Sequence, residues 1–352
     1  MKKYKLFING ADVDPVGGEW FETVNPYTGE PWALIPRATE ADVDRAVEAA
    51  RTAMTEGPWA TMTPSARGKI LRRIGDLVAA NAERLAEIEV RDNGKLIAEM
   101  LGQLRYIPEW WYYYGGLADK IEGQVPEIDK PDMFTFIRHE PVGVVAALTA
   151  WNSPLLFVAW KTAPALAAGC AVVVKPSEFT SASALEFARL TKEAGLPDGV
   201  FNVVTGFGPE TGQALVNHPG IAKISFTGSD TTGARIYEQA AKSLKRVSLE
   251  LGGKSPNIVF ADADLDLAAS GAISGIFAAT GQTCIAGSRL LVQKSIKDEF
   301  VGRLLDIARS AKIGDPMEWD TNIGPVTTPP QYRKVLDYIE IAKKEGGTCV
   351  LG

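Results

Sequence analysis

Residues 141–174 read PVGVVAALTAWNSPLLFVAWKTAPALAAGCAVVV, an apolar run that is longer than a bilayer requires. Four residues that lipid tolerates poorly interrupt this run, namely Asn152, Pro154, Lys161 and Pro164. We therefore expect these residues to form the interior of a water-soluble domain, with no membrane association.

The same run predicts a strand, a helix and a second strand. Residues 142–149 and 171–174 are almost continuously apolar, and Pro154 suits the first turn of a helix between them. Apolar strands that are joined by a helix are typical of a parallel sheet covered on both faces. This segment therefore predicts the centre of an α/β domain.

The strand–helix alternation continues after this run. The pattern predicts helices over 181–193 and 210–216 and from Ala234, with strands over 200–204, 221–226 and 246–249. Such alternation predicts a doubly wound, Rossmann-like parallel sheet. A second α/β region follows Gly253, with helices over 265–279, 296–311 and 330–344, a strand over 289–292 and a new strand from Thr348.

The residues before 141 have a different character. The first thirty or so predict short strands and turns, and helices follow. Thr39 with Asp42 has the spacing of a capping box, and Thr63 precedes a proline at a helix start. An aromatic helix is expected over 99–114. Residues 121–140 predict an irregular, protruding arm.

Composition narrows the function classes. The chain has 352 residues, 46% of them hydrophobic and 23% charged, with a formal net charge of −6. These values are typical of a globular protein with two domains, and no basic tract suggests a nucleic-acid partner. Three cysteines in so long a chain fit a reducing compartment, so we expect a cytoplasmic protein. No metal site is predicted.

A cysteine in a glycine-flanked loop is the first candidate for chemistry. Residues 281–289 read GQTCIAGSR, so Cys284 lies between Gly281 and Gly287. The glycines permit close backbone approach, which a nucleophile needs if its own N–H is to bind an oxyanion. A small buried cysteine with no chemical role is the alternative.

Two polar residues are candidates to act with Cys284. Glu250 lies between leucines in LELGGK at 249–254, and a carboxylate in partly apolar surroundings suits a general base. Asn152 follows the first buried strand, and its amide can donate to an oxyanion. Ordinary surface-turn chemistry is the alternative for both.

Two further segments are candidates for a dinucleotide site. Residues 174–178, VKPSE, end one predicted strand, and residues 225–233, SFTGSDTTG, follow another and open a helix. Phosphates favour helix N-termini, and ligands of doubly wound sheets bind at the carboxyl ends of strands. The glycine spacing is not the common G-x-G-x-x-G pattern, and a simple helix cap is the alternative.

Together, these four segments, in this order and spacing, resemble the aldehyde dehydrogenase superfamily. The resemblance covers essentially the whole chain and includes FNVVTG at 201–206 and SRLLVQ at 288–293. It implies a hydrolytic oxidoreductase that uses NAD, with NADP as the alternative, to oxidise an aldehyde to a carboxylic acid. It also implies a homo-oligomer, dimeric or tetrameric, in which the arm at 121–140 takes part.

The resemblance assigns roles to particular residues. Cys284 matches the nucleophile, Asn152 the oxyanion donor and Glu250 the base that activates water. The match implies that the cofactor is bound by the residues Trp151, Lys175, Glu178, Gly228, Ser229 and Gly252. Because Glu250 is present, transfer of the acyl group to coenzyme A is disfavoured.

The resemblance also divides the chain. Residues 1–250 match an NAD-binding domain, and residues 251–352 match the N-terminal part of a catalytic domain. Family members continue beyond the position of Gly352, and a later glutamate that binds the nicotinamide ribose is expected there. The alternative function is therefore a catalytically incompetent fragment that binds only dinucleotide or a partner subunit.

The substrate pocket is predicted from three residues. Ser153 stands where many family members have a bulky aromatic residue, which enlarges the space beside Cys284. Phe157 and Trp160 follow on the predicted helix at a spacing that places them on one face. We therefore expect a medium-to-large apolar or aromatic aldehyde, with simple core packing of these aromatics as the alternative.

Overall fold

The computed structural model describes residues 1–352 and begins with five short strands followed by five helices. The strands are β1 (Lys2–Lys3), β2 (Leu6–Ile8), β3 (Ala11–Val13), β4 (Trp20–Val24) and β5 (Pro31–Pro36). The helices are α1 (Glu40–Thr55), α2 (Pro58–Thr61), α3 (Pro64–Ala80), α4 (Ala82–Asn93) and α5 (Ile97–Leu117). Both predicted N-terminal caps are confirmed. Thr39 and Asp42 form a capping box at α1, and Thr63 accepts from Ala66 N–H at α3.

Strands and helices alternate between residues 144 and 250, as predicted. The strands are β6 (Val144–Leu148), β7 (Ala171–Lys175), β8 (Phe201–Val203), β9 (Ile221–Thr227) and β10 (Arg246–Glu250). The helices are α6 (Pro154–Ala167), α7 (Ala182–Glu193), α8 (Gln213–Asn217) and α9 (Asp230–Ala241), with a π-helical turn at Gly208–Gly212 before α8.

These strands form a seven-stranded sheet in the order β10-β9-β6-β7-β8-β2-β3. The five strands from β10 to β8 are parallel, and the hairpin of β2 and β3 extends the β8 edge in antiparallel fashion. The strand order reverses between β6 and β9. This is the arrangement of a doubly wound α/β fold, and its ligand crevice is expected at that reversal.

Both faces of the sheet are covered by helices, which is why its strands are continuously apolar. A cluster of 42 buried residues lies on the face that α3, α4, α5, α6 and α7 cover. A second cluster of 20 buried residues joins α1, α8 and α9 to the opposite face. This double core holds the carboxyl ends of the parallel strands in place.

The remaining residues form a smaller α/β region. It contains strands β11 (Pro256–Val259) and β12 (Arg289–Val292), which pair in parallel, and helices α10 (Leu265–Phe277), α11 (Lys297–Arg309) and α12 (Pro329–Lys344). Its buried cluster has four members, Val259, Ala269, Ala272 and Phe300. No residue of α12 is buried.

The structure corrects several predicted elements. Helix α4 was not predicted, and the helix expected from Ala234 begins at Asp230, with Ser229 as its cap. The strand expected from Thr348 is absent, because no neighbouring strand pairs with those residues. Residues 121–140 are irregular, as predicted, and their only ladder contact is an isolated bridge between Gln124 and Ile137. None of the helices combines the length and the apolar character needed to cross a membrane.

Candidate active site

The predicted site residues gather at the carboxyl edge of the sheet, where the strand order reverses. Asn152 follows β6, and Gly228 follows the neighbouring strand β9. Gly228 N–H donates to the Glu250 carbonyl over 3.1 Å, which links the end of β9 to the end of β10. The fold therefore brings three segments together that are distant in sequence.

The loop that carries Cys284 has unusual backbone geometry. Helix α10 stops at Phe277 because Ala279 and Thr280 both adopt left-handed conformations with φ of 55°. Such conformations are costly for residues with a Cβ and persist only where the surroundings hold them. The Glu99 carboxylate accepts from Ala279 N–H over 2.9 Å, so α5 braces this turn.

Asn152 lies directly against the Cys284 loop. Its side-chain Nδ2 donates to the Gln282 carbonyl over 2.8 Å, which leaves the second Nδ2 hydrogen free. The Gln282 side chain in turn accepts from Thr327 N–H over 2.9 Å. Cys284 itself is exposed, and its backbone N–H donates to no protein acceptor. Two donors therefore keep unused hydrogens, the Asn152 amide at the Gln282 carbonyl and the Cys284 N–H two residues further along the chain.

Glu250 ends β10 with an exposed side chain, and the segment that follows it meets the cysteine loop. A Cβ added to Gly253 would lie 3.4 Å from the Cys284 carbonyl oxygen, so the two backbones pass close to each other. Glu250 also lines a cavity of about 400 Å³ with Phe157, Trp160 and Lys161. Burial lowers the pKa of Lys161 to about 8, and the Glu250 charge opposes that shift.

A larger cavity, of about 810 Å³, lies elsewhere and is lined by mostly polar residues around Arg37 and Glu210. It contains none of the predicted site residues. The larger cavity and the predicted site residues therefore lie in different parts of the molecule.

The predicted cofactor residues form two groups on the same edge. Lys175 is buried at the end of β7, and its Nζ lies 3.5 Å from the Glu178 carboxylate. Burial lowers the pKa of the Lys175 ammonium. A lysine donor beside a carboxylate acceptor suits a pair of ribose hydroxyls, since it offers both a donor and an acceptor.

Ser229 and Gly228 form the second group, at the N-terminus of α9. Ser229 is the N-cap and accepts from Thr232 N–H over 3.2 Å, so the first turn of α9 faces this edge. A Cβ on Gly228 would come within 2.4 Å of the Phe226 ring, whereas Gly252 faces open space. Helix N-termini favour phosphate groups, and these residues therefore fit a dinucleotide.

The aromatic residues predicted for the substrate pocket are in mutual contact. The Phe157 and Trp160 ring centroids are 5.7 Å apart, and Trp160 lies 5.6 Å from Trp110 of α5. Phe157 is buried, and Trp160 remains 42% exposed. These rings form an apolar wall between α5 and α6, and Phe157 and Trp160 line the same cavity as Glu250.

Sequence reasoning missed the polar residues that α5 and the segment before it direct at the site. Lys95, Glu99 and Gln103 are spaced four residues apart, and that spacing was the available signal. The cysteine motif includes Gln282 but does not predict its structural role. Its carbonyl and its side chain link Asn152 to Thr327.

Comparison with known proteins identifies the family. The Aldehyde dehydrogenase family model matches residues 13–352. The chain belongs to the aldehyde dehydrogenase family.

Curated aldehyde dehydrogenase relatives match over the whole chain. The (Z)-2-((N-methylformamido)methylene)-5-hydroxybutyrolactone dehydrogenase of Acinetobacter baylyi is 49% identical, over 100% of this chain and 72% of its own length. Aldehyde dehydrogenase family 2 member C4 of Arabidopsis thaliana is 46% identical, over 100% of this chain and 71% of its own length.

Solved aldehyde dehydrogenases share the fold. The NAD+ complex of the Bacillus cereus aldehyde dehydrogenase has a TM-score of 0.96 and 46% identity, covering 98% of this chain and 70% of that chain. A Staphylococcus aureus betaine aldehyde dehydrogenase in complex with NAD+ has a TM-score of 0.97 and 39% identity, covering 100% and 72%.

This aldehyde dehydrogenase is therefore an NAD-dependent oxidoreductase that oxidises aldehydes. The predicted family, fold class and cofactor are confirmed. A chain that only binds dinucleotide is not favoured, because these relatives are dehydrogenases and match over the whole of this chain.

Proposed function

We propose that this enzyme oxidises a medium-to-large apolar or aromatic aldehyde through a covalent thioester on Cys284. The observation that carries the proposal is the exposed Cys284 thiol, in a loop whose Gln282 carbonyl accepts from the Asn152 amide while the Cys284 backbone N–H donates to no protein acceptor. These adjoining segments supply a nucleophile and two hydrogen-bond donors for a reacting carbonyl.

The first step is attack of the Cys284 thiolate on the aldehyde carbon. The carbon–sulfur bond forms as the carbonyl electron pair moves to oxygen, giving a tetrahedral oxyanion. The free Nδ2 hydrogen of Asn152 and the Cys284 N–H stabilise that charge. When NAD is bound, its nicotinamide accepts the hydride, and the carbonyl reforms as a thioester on Cys284.

Hydrolysis completes the reaction. Glu250 takes a proton from a water molecule as the water oxygen bonds to the thioester carbon. The carbon–sulfur bond then breaks, which releases the carboxylic acid and returns Cys284 as a thiolate. The meeting of the Glu250 segment with the cysteine loop at Gly253 supports this role.

The substrate class follows from the aromatic wall of Phe157, Trp160 and Trp110. Ser153 adds space next to Asn152, because its side chain is small. Large flat or extended apolar groups bury more area against such a wall than acetaldehyde does. We expect a higher kcat/KM for benzaldehyde or hexanal than for acetaldehyde.

Cofactor selection is assigned to Glu178, with Trp151, Lys175, Gly228, Ser229 and Gly252 in binding roles. The Glu178 carboxylate beside Lys175 repels the additional phosphate of NADP, so we expect a higher kcat/KM with NAD than with NADP. Residues 1–250 form the NAD-binding domain and residues 251–352 contribute to the catalytic domain in this proposal.

We also infer a cytoplasmic homo-oligomer, dimeric or tetrameric. The cysteines are all free, which fits a reducing compartment. The arm at 121–140 exposes apolar side chains, among them Val125, Phe134 and Phe136, at 64% or more of their surface. An exposed apolar segment of this kind is typical of an interface.

The test is the pre-steady-state formation of NADH in Glu250→Gln. If Glu250 acts in hydrolysis, this variant forms the thioester and stalls, so one NADH per active site appears rapidly and steady turnover falls at least a hundredfold. Glu83→Gln, at an exposed position on α4, is the matched control and should turn over normally. Unchanged steady turnover in Glu250→Gln would exclude the proposed base.

A further inference from the structure

Helix α4 buries two carboxyl groups that lie one turn apart. Glu89 and Asp92 are 0% and 1% exposed. A carboxyl group in such a position is costly for stability unless hydrogen bonds compensate for the lost water. The donors that bind these two groups therefore indicate what the groups do in the fold.

Glu89 caps helix α6 from a distant part of the chain. Its Oε1 accepts from Leu155 N–H, in the first turn of α6, over 2.8 Å. Ser153, at the N-cap of the helix itself, makes no capping hydrogen bond, and its hydroxyl oxygen accepts from Lys95 instead. The first N–H groups of a helix have no partner within the helix. Glu89 therefore supplies an acceptor that the local sequence does not provide.

Asp92 caps helix α7 in the same way. Its Oδ2 accepts from the N–H of Ala182, the first residue of α7, over 2.9 Å. Ser181, the N-cap residue of α7, makes no capping hydrogen bond. Glu89 adds a second contact to this helix, because its Oε1 also accepts from the Ser183 hydroxyl over 3.0 Å. Helix α4 thus holds the starts of two other helices.

A short connection joins the capped end of α6 to Asn152. Only Ser153 and Pro154 separate Asn152 from Leu155, and the proline ring fixes φ at its position. The Asn152 side chain contacts the cysteine loop, because its Nδ2 donates to the Gln282 carbonyl over 2.8 Å. A displacement of the first turn of α6 therefore moves Asn152 relative to the cysteine loop.

A tight turn joins the capped end of α7 to Lys175 and Glu178. The Ser177 carbonyl accepts from Thr180 N–H over 3.1 Å and from the Ser181 hydroxyl over 2.9 Å. These hydrogen bonds close the connection between β7 and α7. The position of the first turn of α7 therefore influences where the Lys175–Glu178 pair lies at the edge of the sheet.

We propose that Glu89 and Asp92 are positioning residues, each for a different part of the site. Glu89 sets the position of Asn152 through α6. Asp92 sets the position of the Lys175–Glu178 pair through α7. The assignment rests on the proposed function, because it uses the roles proposed for those residues in oxyanion and NAD binding. Glu89 therefore affects the chemical step, whereas Asp92 affects the binding of NAD.

The experiment measures these two effects separately. Glu89→Ala should lower the single-turnover rate of NADH formation at saturating NAD about tenfold, the effect expected when a hydrogen bond to a charged group is lost. Asp92→Ala should instead raise the Kd for NAD about tenfold, with a single-turnover rate within about twofold of wild type. The same pattern of losses in both variants, or the reverse pattern, would overturn the proposal.

Conservative variants show whether the hydrogen bonds are responsible. Glu89→Gln and Asp92→Asn keep an acceptor oxygen and should restore most of the lost rate or affinity. Glu87→Ala, at an exposed position on α4, is the matched control and should behave as wild type. If the amide variants lose as much as the alanine variants, these acceptors do not position the site.

A double variant tests whether Glu89 acts through Asn152. In the Asn152→Ala background, Glu89→Ala should lower the single-turnover rate by less than about twofold, since the group that it positions is already missing. A full tenfold loss in that background would mean that Glu89 acts by another route, and the proposal would be wrong.

Hydrogen exchange distinguishes failure of the positioning from failure of the proposed function. Glu89→Ala should accelerate amide exchange in residues 152–157, and Asp92→Ala should accelerate it in residues 177–184. If Asn152→Ala forms NADH at the wild-type rate, the role proposed for Asn152 is wrong, and the exchange pattern still decides the positioning. Unchanged exchange in both segments, or equal acceleration throughout the protein, would exclude it.

Discussion

Residues 1–250 and residues 251–352 hold their parts of the site in different ways. The first region buries clusters of 42 and 20 residues on the two faces of its sheet, whereas the second buries a cluster of four. The first region supplies Asn152, Lys175 and Glu250 from strand ends that this core supports. The second supplies Cys284 from a loop.

The cysteine loop takes its position from polar contacts with the first region. Glu99 binds Ala279 N–H, Asn152 binds the Gln282 carbonyl, and Thr327 donates its hydroxyl to the Asn93 carbonyl. A dense core thus positions the residues proposed to bind the cofactor, and a few hydrogen bonds position the proposed nucleophile. We expect substitutions in the first region to affect mainly stability and substitutions around the loop to affect mainly turnover.

The largest effect is expected for Cys284→Ala. Removing the thiolate should lower kcat by more than about a thousandfold, because the proposed thioester forms only on that sulfur. The melting temperature and the Kd for NAD should change little, since the side chain is exposed. Cys349→Ala, also exposed, is the matched control. Substantial residual turnover of Cys284→Ala in an NADH assay would reject the assignment.

Paired core substitutions test the difference between the two regions. Leu71→Ala, in the larger cluster, should lower the free energy of the main unfolding transition by about 2–5 kcal/mol. Phe300→Ala, in the four-residue cluster, should instead accelerate hydrogen exchange across 256–309 and reduce turnover. Urea denaturation and exchange mass spectrometry report these outcomes. If Leu71→Ala and Phe300→Ala shift the same unfolding transition by the same amount, the two regions unfold as a unit.

The buried carboxyl group of Glu89 should make the stability of the first region depend on pH. Burial raises the pKa of Glu89 from 4.5 to about 7, so the folded protein binds a proton there that the unfolded chain releases. This stabilisation is complete below about pH 4.5 and is lost as the pH rises to about 7. We expect a contribution of about 1–3 kcal/mol to the free energy of unfolding.

Glu89→Gln should remove this dependence between pH 4.5 and 7, because the amide stays neutral and can still accept from Leu155 N–H. Burial also raises the pKa of Asp92 to about 7, so Glu89→Gln keeps the part of the pH dependence of stability that comes from Asp92. Glu83→Gln on the same helix is the exposed control. An unchanged pH slope in Glu89→Gln would contradict the prediction.

The smallest effect is expected at Glu99, the brace of the cysteine loop. Glu99→Ala removes the acceptor for Ala279 N–H and should lower kcat about tenfold, as expected for a hydrogen bond to a charged group. The Kd for NAD should stay the same. Glu99→Gln retains an acceptor and should restore most of kcat. A kcat for Glu99→Ala within twofold of wild type would show that the loop holds its shape unaided.

The sequence by itself determined the family and the parallel sheet, and it predicted the three residues that we propose for catalysis. Their signals are local, because buried parallel strands are continuously apolar and the motifs around Asn152, Glu250 and Cys284 are contiguous. The sequence pattern did not predict α4, because acidic residues such as Glu89 and Asp92 are not expected at buried positions. Their partners, Leu155 N–H and Ala182 N–H, lie more than 60 residues away.

Tertiary structure alone decided how the Cys284 loop is held and what surrounds it. Ala279 and Thr280 both adopt left-handed conformations, and because neither is glycine the local sequence does not predict them. The Glu99 carboxylate on α5 stabilises this turn. The hairpin of β2 and β3 joins the sheet through pairing with β8, and Lys95 reaches Ser153 across 58 positions. Each of these contacts joins segments that are distant in sequence. The hydrophobic periodicity of one segment does not show which other segment it contacts in the folded protein.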